Sequence, residues 1–93
     1  MKMHLHFGLV FVTRQIRFIM DRSEADRAVE LHSSGDWGEL SEEQKLANER
    51  ALATGKPVQS LFHSRSGYEF LVITKADRSA TYVLRPEELP DLF

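Results

Sequence analysis

Apolar residues along this chain change their spacing several times, and each change marks an element. Phe7–Thr13 is a short aromatic and β-branched run, which predicts a first strand, buried in the fold. Gln15–Met20 fits two patterns: Ile16, Phe18 and Met20 alternate as in a strand, whereas Ile16, Ile19 and Met20 share one helical face. Ala25, Ala28, Val29 and His32 then recur at helical spacing and predict a helix over 24–33, opened by Ser23 with Asp26 three positions on and ended by Gly35. A second helix is predicted over 42–53. Ser41 and Gln44 form its capping box, Leu46, Ala47, Ala51 and Leu52 its apolar face, and Gly55 followed by Pro57 its stop.

After Pro57 the period shortens to two. Val58–His63 and Tyr68–Thr74 read as strands joined by Ser64-Arg65-Ser66-Gly67, with Gly67 placed for a positive φ. Phe70, Leu71, Val72 and Ile73 are consecutive and apolar, so that strand is expected to be central and covered on both faces. Ala80–Leu84 returns as a further strand, and Pro86 stops it. The order is strand, two helices, then a three-stranded meander. It predicts a small α+β domain whose mostly antiparallel sheet carries its helices on one face.

The 93 residues suffice for one domain, 1–93, with 88–93 as a short acidic tail broken by Pro90. A 42% hydrophobic and 28% charged composition is that of an ordinary globular chain. The lack of cysteine excludes disulfides, thiolate metal sites and a cysteine nucleophile. Lys2, Leu5 and the run Phe7–Val12 faintly resemble a signal peptide, but His4 and His6 interrupt the front and no cleavage site follows. Arg14 and Arg17 forbid a span of about 20 apolar residues there. A cytoplasmic protein with no membrane partner is expected.

Net charge is only −2, yet it is unevenly spread. Residues 1–20 carry +3, residues 21–49 carry −6, residues 50–85 carry +4 and the tail −3. Within the acidic block, Asp36, Glu39, Glu42 and Glu43 lie close together around the start of the second helix. Such carboxylates are either a solvated face or a surface offered to a basic partner, because they can replace phosphates against Lys and Arg.

Three segments are distinctive together: His32-Ser33-Ser34-Gly35-Asp36-Trp37-Gly38-Glu39-Leu40, Ala47-Asn48-Glu49-Arg50-Ala51-Leu52 and Ile73-Thr74-Lys75-Ala76-Asp77-Arg78-Ser79-Ala80-Thr81. In this order they resemble a family of small bacterial proteins carried on plasmids, prophages and other mobile elements. Its members are often labelled plasmid-related, or misnamed as a type I restriction modification subunit. The resemblance spans residues 32 to 88 and implies a context of mobile elements rather than a chemistry.

The remaining motifs each have a structural reading beside the functional one. Trp37, in Gly35-Asp36-Trp37-Gly38, is an aromatic anchor for a partner or a core plug beside a tight turn, and the plug is preferred. Asp77-Arg78-Ser79 is part of a phosphate clamp with Lys75 or Arg65, or an Asx turn whose arginine pairs with a helix acid, and the turn is preferred. His4 and His6 are half of a metal site at most, and His32 is read as a helix C-terminal cap. Ser64 or Ser66 beside His63 do not face each other as a nucleophile and base would, and no phosphate loop, nucleophile elbow or metalloprotease motif is present. No metal and no cofactor are expected.

The function expected is therefore that of a non-catalytic binding protein of mobile elements, an anti-CRISPR or anti-restriction inhibitor. It would set Asp36, Glu39, Glu42 and Glu43 against a nucleic-acid-binding host complex. The alternative is a nucleic-acid-binding or regulatory protein using Arg65, Lys75 and Arg78, with Tyr68, Phe70 and Tyr82 as stacking groups.

Overall fold

The computed structural model describes residues 5–89; His4, Pro90 and the last residues of the tail lie outside them. Strand β1 (Leu9–Val12) is followed by helices α1 (Arg14–Ile19), α2 (Arg22–Ser33) and α3 (Glu42–Thr54). Strands β2 (Val58–His63), β3 (Glu69–Thr74) and β4 (Ala80–Leu84) form the meander, and a 3₁₀ turn at Pro86–Glu88 closes the described chain. The sheet order is β1-β4-β3-β2. The meander is antiparallel, with Val58 opposite Thr74 and Val72 opposite Val83, while β1 runs parallel to β4, with Leu9 opposite Ala80. The chain is thus α+β, as its pattern predicted.

The ambiguous segment after β1 is helical: Thr13 caps α1 by accepting from the Ile16 amide, and Ile16 is fully buried. Helix α2 starts earlier than predicted. Asp21, not Ser23, is its N-cap, because the Asp21 carboxylate accepts from the Glu24 amide at 3.0 Å while Ser23 donates to that same carboxylate. Helix α3 has the predicted capping box, and Gly55 ends it in the left-handed region at φ 72°.

One sheet face carries the helices. Ile16, Ala25, Ala28 and Val29 pack on Phe70, Val72 and Val83, and the small alanines let α2 lie close to the strands. Trp37, Leu40 and Ala51 pack on Val58 and Leu5 at the β2 end of that face. On the opposite face Leu71, Ile73 and Leu84 are covered by Leu61, Tyr82 and Leu89. The expected central strand is therefore buried on both sides. Fully burying a side chain such as Val72 contributes about 1.5–3 kcal/mol.

Two expectations fail. Strand β1 is not buried but lies at the sheet edge, where Leu9 is 68% exposed and Phe11 stacks on Tyr82 at 5.2 Å. Leu46, expected in the core, is 50% exposed. Helix α3 is turned so that Asn48 faces inward beside Ala51, which is buried as expected. The Asn48 amide donates to the Gln59 carbonyl at 2.7 Å and accepts from the Gln59 amide at 3.2 Å. A side chain thus serves as one residue of a neighbouring strand, closing part of the outer edge of β2.

Candidate functional site

The loop from α2 to α3 is attached to that same edge. Leu61 donates to the Trp37 carbonyl at 3.1 Å and receives the Glu39 amide at 2.8 Å, a one-residue parallel bridge centred on Gly38. Gly38 sits at φ 71°, and a Cβ there would lie 2.0 Å from the Leu61 carbonyl oxygen, so only glycine permits this approach. Asp36 reinforces the turn by accepting from the Gly38 amide at 3.1 Å. Trp37 points inward at 7% exposure, as the core plug that its sequence context favoured.

The acids of this segment point outward. Asp36, Glu39, Glu42 and Glu43 are all exposed, on the bridged loop and the first turn of α3. Glu39 pairs with the His63 ring, and Glu42 lies 3.7 Å from Lys45. Part of the remaining acidic block is engaged within α2 and with the β2–β3 turn. Asp26 pairs with Arg22, Glu30 with Arg27, and Glu24 accepts from the Arg65 amide.

The alternative basic surface is not brought together, because Arg65 lies in the turn before β3 and Lys75 and Arg78 in the turn after it, at opposite ends of that strand. Arg65 and Lys75 are exposed, but the Arg78 guanidinium is spent on three carbonyls, those of Lys56, Lys75 and Ala51, at 2.7, 3.1 and 3.2 Å. It bonds the C-terminal end of α3 rather than an acid, since that end has orphan carbonyls and no basic residue of its own. Asp77 makes the expected Asx turn, accepting from the Ser79 hydroxyl and amide at 2.6 and 3.0 Å. Of the three stacking groups, Phe70 is buried and Tyr82 is stacked on Phe11, which leaves Tyr68 open.

His32 is a correction. It does not cap α2 as a cation but is fully buried, its Nδ1 2.6 Å from the Ser60 hydroxyl and its Nε2 2.9 Å from that of Thr74. The protons can be assigned from the far end. Thr81 donates to the Phe7 carbonyl, so Thr74 must donate to Thr81, and Nε2–H of His32 must donate to Thr74. Nδ1 is left as the acceptor from Ser60. The ring is neutral in this chain, and burial, helped by the Arg78 guanidinium, pushes its pKa down to about 4. Ser60 is as buried as His32, so their contact ties α2 to the sheet and offers no nucleophile to a substrate. Ser64 bonds Ser66 and the Tyr68 amide, while the neighbouring His63 faces Glu39.

One arrangement was not visible in the sequence. Phe18, 80% exposed, shares an open cleft of about 270 Å³ with Gln15, Ile19, Tyr68, Arg85 and Glu87. The strand-or-helix ambiguity at 15–20 hid it, since the strand pattern grouped Phe18 with Ile16 and Met20 and only the helical pattern leaves it off the apolar face. No group of three or more His, Asp or Glu suited to a metal occurs among the described residues, and no helix among them is long and apolar enough to cross a membrane. No family model, curated protein or solved structure matches the chain.

Proposed function

We propose that this chain is a non-catalytic binding protein. It presents Asp36, Glu39, Glu42 and Glu43 as an acidic ridge to a basic surface of a protein or nucleoprotein partner. The observation that carries this reading is the attachment of the ridge: backbone bonds to Leu61 and the Gly38 approach hold the loop on the sheet edge, so its acids project from a fixed backbone. Preorganised charges lose less entropy on binding than charges on a free loop. The resemblance to mobile-element proteins extends the reading to an anti-defence inhibitor in the cytoplasm, anti-CRISPR or anti-restriction. Its carboxylates would stand where a host complex normally holds phosphates.

The test is the triple variant Glu39→Gln, Glu42→Gln, Glu43→Gln. These side chains are exposed, so circular dichroism should show an unchanged fold. A host complex captured on the tagged wild-type chain is purified, and its affinity measured against salt concentration. The variant is expected to bind at least tenfold more weakly, with a flatter salt dependence. Equal affinity of a folded variant would remove the ridge from the interface.

A further inference from the structure

The cleft at the α1 end of the molecule combines features that the acidic ridge does not use. Arg14 and Phe18 are four positions apart on α1 and so share a face, whereas Arg17 lines a separate depression with Val12, Met20 and Arg22. Arg14, Arg17 and Phe18 are exposed, and neither Arg14 nor Arg17 forms an ion pair or hydrogen bond through its guanidinium among the described residues. The β2–β3 turn is fastened against the same helix, because the Ser66 hydroxyl donates to the Ile19 carbonyl at 2.7 Å. That bond places Tyr68, 49% exposed, across the cleft from Phe18, and the Arg85 guanidinium lies 5.1 Å over the Tyr68 ring.

Two partly exposed aromatic rings on one cleft, Tyr68 with Arg85 over one of its faces, and the unpaired Arg14 alongside Phe18 are the parts that single-stranded nucleic acid requires. Bases stack on any flat ring, while arginines follow the phosphates. Duplex DNA keeps its bases stacked on each other and would leave the rings idle. An acidic peptide would use the arginines but not the rings. We infer that this cleft binds a single-stranded nucleic acid, with Phe18 and Tyr68 stacking bases and Arg14 contacting phosphates. The surface is separate from the ridge: it involves α1, the β2–β3 turn and the end of β4, whereas the ridge lies along the outer edge of β2. Glu87, at the cleft, is the one lining acid and pairs weakly with Arg85 at 3.5 Å.

The experiment is fluorescence anisotropy of the full chain with a labelled twelve-nucleotide oligothymidine in low salt, beside a duplex of equal length and a polyglutamate peptide. Phe18→Ala should weaken binding roughly 5- to 150-fold, the range for loss of one stacked base. Arg14→Gln should weaken it too and reduce the slope of log affinity against log salt by about 0.7 for the lost phosphate contact. Glu87→Gln should strengthen it, and the acidic triple variant should bind no worse than wild type. All substituted side chains are exposed, so the variants keep the fold. The inference is overturned by absence of binding to the oligonucleotide, by tighter binding of the duplex or the peptide, or by an unchanged affinity in Phe18→Ala.

Discussion

At the scale of single residues, His32 shows how a hydrogen-bond chain sets a charge state. Every hydroxyl proton from Ser60 to Thr81 is committed in one direction, ending on the Phe7 carbonyl. A proton added to Nδ1 would face the Ser60 donor and break the chain at its first link. The unfolded chain has no such constraint and titrates near 6.5, whereas the folded value is about 4. The unfolded state therefore binds more protons between these values, and stability must fall as pH drops through this window and be constant above it. The expected loss from pH 7 to 4 is about 3 kcal/mol. Asp21 and Asp77, held below 3.8 by hydrogen bonds from the Glu24 amide and the Ser79 hydroxyl, act only under that window. Urea titrations at several pH values check this, and in His32→Gln the slope between 6.5 and 4 should vanish.

At the scale of elements, the edge of β2 depends on Asn48. Truncation to alanine would strand the Gln59 N–H and C=O together. Asn48→Ala is expected to cost about 1–3 kcal/mol in denaturant unfolding, where the exposed Leu46→Ala should cost under about 0.5 kcal/mol. These two residues also mark where the sequence could be read and where it could not. Helix α3, the meander and the Gly67 turn were legible because caps, glycines and period-two runs are local signals. The rotation of α3 was not, because an apolar count scores Leu46 as core and Asn48 as surface, and only the unpaired edge of β2 reverses them. The ridge was legible as a cluster of acids around the start of α3. The cleft was not, since it forms from three segments far apart in the chain.

At the scale of the whole molecule, charge is sorted rather than cancelled. Pairs on α2 engage two of its acids, and Glu39 and Glu42 of the ridge lie against His63 and Lys45. Asp36 and Glu43, like the arginines of α1, form no ion pair among the described residues. The two proposed surfaces would thus meet a nucleoprotein partner differently, the ridge on basic protein and the cleft on an exposed strand. The triple glutamine variant and Phe18→Ala separate these contributions, because each leaves the other surface intact.

The parallel pairing of β1 with β4 has a consequence for time rather than for shape. The hairpin of β2 and β3 closes over the short turn 64–68, but Leu9 meets Ala80 only after most of the chain has been gathered in. Loop closure over such a distance carries an entropic cost that local hairpins avoid, so β1 should dock after the folding barrier has been crossed. In stopped-flow measurements, Val12→Ala, opposite Val83, is expected to speed unfolding and leave refolding nearly unchanged, whereas Val72→Ala in the meander should slow refolding. Slower refolding in Val12→Ala would place β1 in the nucleus. With late docking, the first strand of the sequence is the last to join the sheet and the first to leave it.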